Sequence, residues 1–306
     1  MTSGAPLAIR LARRLIPRLP LGRYRASRAL SCVPFAPFYA AMPAPEDGLV
    51  FECDLRDVIA RDVCLAGVYE AQETLVVRST LTPGMTFVDV GANWGYFTLL
   101  AAALVGPTGH VVSIEPDPRL LARLHRNVSA NRLTWVRVVD VAVAEAEATV
   151  SLRGYSERSE NFGVSRVVPG AVGGADVFQV RARALDDIAR GFELIDLVKI
   201  DIEGGEATAL AGMRRLLASR VVRRLLLELH PAELAELGRS VHDVYGPLAD
   251  AGYRGFTIDH APATTRRAAY GRPGDVATLV RPLDPARALD AWPHQLWLAP
   301  GVTPPC

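Results

Sequence analysis

Five short apolar runs recur along the 306-residue chain: TFVDV (86–90), HVVSIEP (110–116), TWVRVVDVAV (134–143), LIDLVKIDIE (194–203) and VRRLLLELH (222–230). Runs this short and this rich in Val, Ile and Leu read as buried strands. Helical patterns alternate with them. Residues 118–130 carry Leu120, Leu121, Leu124 and Val128 on one side, 206–218 carry Leu210, Met213 and Leu217, and 66–81, 94–104 and 240–251 also read as helices. Strands that alternate with helices leave one economical solution, a mostly parallel sheet with crossover helices on both faces. LVFECDL (49–55), ATVSLRG (148–154), YRGFTID (253–259) and QLWLAP (295–300) supply further short strands.

In an open parallel sheet, ligands bind beyond the carboxyl ends of the strands. The first run ends at Asp89, Gly91, Asn93 and Gly95, the second at Glu115, Pro116 and Asp117, and the third near Asp140 and Val141. The fourth ends at Asp201 and Glu203, the fifth at Glu228 and His230. One acid at such an end could cap a helix. Five in succession point to a ligand on that rim.

Glu115 narrows the choice. An acid closing the second strand, some twenty residues past a glycine turn, is placed to accept both hydroxyls of a ribose. A nicotinamide dinucleotide requires GxGxxG, so that a pyrophosphate can approach a helix N-terminus. Here the turn is GANWG, with no third glycine, and Asp89 would face the incoming diphosphate. S-adenosylmethionine carries a cationic ammonium and sulfonium and no phosphate, so the acids favour it.

The segments FVDVGANWGYFTLLAA, VVSIEPDPRLLARLHRNVSANRL, LVKIDIEGGEATALAGM and LLLELHP resemble the FkbM family of S-adenosylmethionine-dependent methyltransferases, with lesser matches at GVYEAQET, NFGVSRV and RARALDDI. The resemblance covers roughly residues 50–300. It implies a class I methyltransferase, Rossmann-like fold of seven strands, the last antiparallel. It also implies O-methylation, typically of sugars or polyketide-type metabolites. Carried over position by position, Asp89, Gly91, Asn93 and Gly95 are expected around the methionine part of the donor, Glu115 at the ribose, and Asp140, Val141 and Ala142 near the adenine. Lys199, Asp201 and Glu203 are then expected at the reacting end.

A hydroxyl acceptor is a weak nucleophile and benefits from a general base. His230 is the best base by type, with Asp201 and Glu203 as alternatives. The same three could hold a divalent ion, a reading that is not favoured, because Glu203 and Glu206 can equally serve the N-terminus of the next helix. Glu70, Asn161 and Ser165 are weaker candidates for ligand contacts. Trp94 reads as packing, and His110, His125, His242, His260 and His294 show no metal-ligand spacing.

Two regions stand apart. Residues 1–48 form a basic extension, read as helical, with Leu7, Leu11, Leu15 and Leu19 at four-residue spacing and seven arginines before the first acid, Glu46. It is read as a helix packed on the main domain (49–306) rather than as a membrane or partner arm. Residues 153–176 are a polar, glycine-rich insertion of the kind used as a substrate loop. Residues 90–114 lack formal charge, but Gly106, Pro107 and Gly109 break them into turn, helix and strand, so no transmembrane segment is expected. A net charge of +1 and the lack of a basic, aromatic-laced stripe in the main domain argue against nucleic acid. Four cysteines without CxxC spacing suit a reducing cytoplasm. The expected function is methyl transfer to a small-molecule hydroxyl, with a nicotinamide-dependent oxidoreductase or an inactive binding protein as alternatives; an oligomer is left open.

Overall fold

The structure, a computed structural model, describes residues 5–19, 21–31, 35–42, 48–154, 165–168, 170, 176–269, 275–284 and 293–305. Most of the insertion, including Asn161, lies outside these residues. The chain opens with two helices, α1 (Leu7–Leu15) and α2 (Arg23–Ser31), and a hairpin of β1 (Phe38–Ala41) and β2 (Val50–Cys53). The short α3 (Val58–Arg61), a π-turn over Asp62–Ala66 and α4 (Ala71–Thr80) lead to the first sheet strand. The next elements are β3 (Thr86–Val90), α5 (Tyr96–Val105), β4 (His110–Ile114), α6 (Pro118–Ala130) and β5 (Val136–Val139). A second sheet follows, made of β6 (Ala142–Val143), β7 (Ala148–Arg153), β8 (Arg166–Val167) and β9 (Val177–Arg183). After α7 (Leu185–Ile188) come β10 (Leu197–Ile200), α8 (Glu206–Ala211), α9 (Arg214–Ala218), β11 (Arg224–Glu228), α10 (Pro231–Glu236), α11 (Val241–Asp250), β12 (Arg254–Ile258), α12 (Pro262–Ala269), β13 (Val280–Pro282) and β14 (His294–Leu298).

The main sheet runs β13-β12-β14-β11-β10-β3-β4-β5. β3, β4, β5, β10 and β11 are parallel, and β14 is antiparallel to both β11 and β12. This is the class I methyltransferase arrangement, with β13 added at one edge. The order reverses between β3 and β10, which opens a crevice at their carboxyl ends. The strands beneath it are fully buried, as their apolar sequences require.

Three local readings change. TWVRVVDVAV is two strands, because the chain leaves the main sheet after Val139 and joins the second one at Ala142. The 206–218 helix is α8 and α9, broken around Gly212, where a Cβ would collide with the carbonyl of Ala144. Residues 177–183, not read as a strand, pair with 148–153 along their length. Among the described residues, no helix is long and apolar enough to cross a membrane.

The hairpin is clipped to α6 by two asparagines one turn apart. Asn127 Oδ1 accepts from the Glu52 amide at 2.8 Å, and its Nδ2 donates to the Trp94 carbonyl at 2.8 Å. Asn131 makes the same paired contact with both backbone groups of Val50. Arg126 and Arg123 then reach the Glu52 carboxylate at 2.7 and 3.0 Å. Asn127→Ala leaves a buried amide and a buried carbonyl unpaired, each costing about 1–3 kcal/mol. Urea unfolding should therefore show a loss of about 2–6 kcal/mol.

Candidate active site

The crevice is a cavity lined by the turns after β3, β4 and β10, by α3 through Ile59, and by the second sheet through Val143, Leu152 and Val167. Gly91 and Asn93 lie on its floor side, and both adopt left-handed backbone, with φ of 84° and 53°. A Cβ on Gly91 would run into the Asp201 carbonyl. The bare backbone is thus required by the close approach of β10, and it leaves the cavity open as a result. Gly95 has a different role. It starts α5 at φ 91°, and a Cβ there would lie 2.6 Å from Leu124 Cδ1.

Glu115 is buried, and both its oxygens already accept backbone N–H groups, from Asn93 and from Asp117, each at 2.8 Å. That fixes the carboxylate and leaves one lone pair on each oxygen for a ligand's hydroxyls. Burial pushes its pKa up to about 8, against those two hydrogen bonds. Asp89 is buried within β3 and accepts from the Thr98 hydroxyl at 2.7 Å; burial pushes it up to about 6, against the pull of Lys199.

Beyond the cavity lies a buried ionic cluster. Lys199 Nζ donates to Asp201 Oδ2 at 2.8 Å, lies 4.0 Å from Glu70 Oε2 and sits 4.7 Å over the Phe97 ring. Burial would lower its pKa, but Asp201, Glu70 and Asp89 outweigh this and hold the ammonium charged. Lys199 and His230 in turn keep Asp201 below the usual carboxylate range despite burial. His230 Nδ1 is 2.7 Å from Glu206 Oε1, while its Nε2 is 3.5 Å from Glu203 and 3.6 Å from Glu228. Burial favours the neutral ring, yet Glu206, Glu203 and Asp201 push its pKa up to about 9. Burial and the neighbouring Asp201 and Glu70 push Glu228 up to about 9 as well.

Two histidines with no sequence signal join this cluster. His260 Nε2 and His294 Nδ1 lie 2.8 and 3.0 Å from one oxygen of the buried Glu73, and the rings stack at 3.9 Å and 18°. The three place ligand atoms within 4.8 Å of one another, but the near-parallel rings as they stand do not aim their in-plane lone pairs at one point. His294 Nε2 links the trio to Glu228 at 3.7 Å. Only the return of β14 beside β11 brings these residues together.

The sequence profile of the Methyltransferase FkbM domain matches residues 89–254, just over half of the chain. The chain belongs to the FkbM methyltransferase family. It is 29% identical over 187 residues to the AMB antimetabolite synthetase AmbE of Pseudomonas aeruginosa, a match covering 49% of this chain and 8% of that protein. It is 27% identical over 157 residues to the methyltransferase sdnD of Sordaria araneosa, covering 41% and 59% respectively. A crystal structure of the methyltransferase FkbM from Methylobacillus flagellatus aligns at 20% identity and a TM-score of 0.42, over 72% of this chain and 47% of that one. The chain spans less than two thirds of each of these relatives.

The methyl donor of this FkbM methyltransferase is S-adenosylmethionine, and the cavity suits it, pairing fixed carboxylates for hydroxyls and cations with an apolar wall for a base. The nicotinamide alternative falls away with the family. Of the residues singled out for the donor, Gly91, Asn93, Glu115, Val141 and Ala142 line the cavity. Asp89 and Gly95 do not: one lies beneath the turn and the other packs on α6. Asp140 also lies outside the lining. It is exposed and pairs with Arg181 at 3.0 Å, because the chain turns between sheets at this point. Ser165 lines the cavity and donates to Asp117 at 2.7 Å. Trp94 is fully buried, stacked on Phe51 under the Arg123 guanidinium. Asp201, Glu203 and His230 place ligand atoms within 4.8 Å of one another, as do Glu70, Asp201 and Glu228. Their oxygens suit Mg²⁺ or Mn²⁺, but Lys199 already neutralises Asp201. Glu70, Asn93 and Glu203 all hold left-handed backbone without being glycine, a strain concentrated at this site.

A cationic donor favours ionised carboxylates. Glu115, which lines the cavity with a pKa of about 8, is partly protonated near neutrality and is expected to lose that proton on binding. Donor affinity should therefore rise as pH increases from 6 to 8, with proton release. Calorimetry in buffers of different ionisation enthalpy reads both effects.

Proposed function

We propose that this FkbM methyltransferase transfers the methyl group to a hydroxyl of a small molecule, a sugar or a polyketide-type metabolite. The carrying observation is the Glu206–His230 dyad just past β11, whose Nε2 lies 3.5 Å from Glu203 of the crevice lining. Glu115 takes the two ribose hydroxyls, Gly91 and Asn93 border the methionine portion, and Val141 and Ala142 cover the adenine.

The bound sulfonium supplies an electrophilic methyl group. The chain's task is to position the acceptor oxygen in line with it and to remove the oxygen's proton. His230 takes that proton at Nε2. Glu206 holds Nδ1–H, which fixes the tautomer and stabilises the imidazolium that forms. Glu203 and Glu228 flank Nε2 and are placed to accept hydrogen bonds from acceptor hydroxyls. Asp201, kept ionised by Lys199, lines the cavity and orients the acceptor or the donor's cationic end. A run of carboxylates and imidazoles supports a polyhydroxylated acceptor, since such groups satisfy several hydroxyls at once.

Two measurements test the assignment. His230→Ala should leave donor affinity nearly unchanged and lower kcat by about 10²–10⁴-fold on a true acceptor. In the native enzyme the neutral imidazole becomes more abundant as pH rises towards its pKa of about 9, so acceptor turnover should climb over pH 7–9. Full turnover by His230→Ala would move the role to Asp201 or Glu203. Glu115→Ala should weaken donor binding by about 3 kcal/mol, the loss of two charge-assisted hydrogen bonds. An unchanged dissociation constant in a folded variant would remove Glu115 from the ribose site.

A further inference from the structure

The first helix has two apolar faces. Towards the body it buries Ile9 (0% exposed), and Ile16, just beyond its end, is also buried (6%). Arg13 fixes it there, donating from Nε to the Cys64 carbonyl at 3.0 Å and from Nη2 to the Ala41 carbonyl. Away from the body, Leu7, Leu11 and Leu15 are 65%, 50% and 64% exposed, and Leu21 is 67% exposed. Four-residue spacing carries the first three along one stripe, about 40° apart around the axis. Arg10 and Arg14 are exposed on its flank, and Arg18 is exposed one turn further on. Of the large hydrophobic side chains exposed among the described residues, all but Leu194 lie within 7–21. The inward face is already packed on the body, and the leucine row forms an apolar stripe left to solvent.

We propose that the outward face of α1 docks this methyltransferase on an anionic lipid surface, with the leucines entering the acyl boundary and Arg10, Arg14 and Arg18 meeting the lipid phosphates. With nine residues, the helix is too short to span a bilayer, so it lies in the interface plane. Charge selects this partner. A second copy mated through the same face would bring arginine rows together, and no acid precedes Glu46 to relieve them. A nucleic acid would match the arginines but leave the leucine stripe in water. The contact uses no residue of the donor cavity or the catalytic cluster, so it can fail without affecting methyl transfer.

The test is flotation of the full chain with phosphatidylcholine vesicles, with and without phosphatidylglycerol. Binding is expected only to the anionic vesicles and is expected to weaken with salt. Replacing Arg10, Arg14 and Arg18 together by Gln should lower partitioning by about a hundredfold. Replacing Leu7, Leu11 and Leu15 together by Gln should reduce it to background. Both variants should retain donor affinity by calorimetry, which reports an intact fold; if the leucine variant fails that control, the arginine variant decides. No wild-type flotation, equal binding to both vesicle types, or a dimer abolished by the leucine substitutions in place of vesicle binding would each overturn the proposal.

Discussion

Lys199 is the charge on which the active end of this molecule depends. It lies on the central strand β10, buried, with its ammonium against Asp201 and near Glu70, while Asp89 and Glu228 contribute at longer range. This buried ammonium, set among four carboxylates, helps hold together a region that would otherwise repel itself. Desolvation penalises each ion separately, and mutual attraction offsets that penalty only while the partners remain. Losing the ammonium would leave the carboxylates either protonated or dispersed. The carboxylates of Glu115, Asp201 and Glu203 that line the crevice suit a cationic donor.

Backbone geometry serves the same end. The crevice exists because the sheet order reverses between β3 and β10. There the Asp201 carbonyl approaches Gly91 so closely that no side chain fits. Glu203 and Asn93 accept left-handed conformations beside it. Strain of this kind persists only where surrounding packing enforces it, and here the fully buried strands β3 and β10 supply that packing. The site is preorganised by the core beneath it, and Glu115 is fixed before any ligand arrives.

The catalytic proposal links these features. His230 ends β11 and is backed by Glu206 from the start of α8, two elements separated in sequence but joined by the parallel pairing of β10 and β11. The basic helix α1 contributes nothing to the donor cavity: it is tied to the body by Arg13 and Ile9, yet it presents leucines to the solvent. The proposed catalytic and lipid-docking roles therefore fall on separate parts of the chain.

The sequence by itself determined a mostly parallel sheet, the succession of strands and helices along the chain, and the acids at the strand ends, because apolar periodicity leaves few alternatives. Residues such as Glu115, Asp201 and His230 were legible because a strand end announces itself locally. Only tertiary structure decided which acids face the ligand. Asp140 and Asp89 sit at strand ends like the others, but a change of sheet turns one to solvent and the pleat buries the other. The division of residues 134–143 between two sheets was hidden because both halves are apolar and β-prone. The trio of Glu73, His260 and His294 was invisible for a different reason. Glu73 on α4 lies 187 residues or more before His260 and His294, and proximity across such a distance is set by the order of strands in the sheet, which no local pattern records.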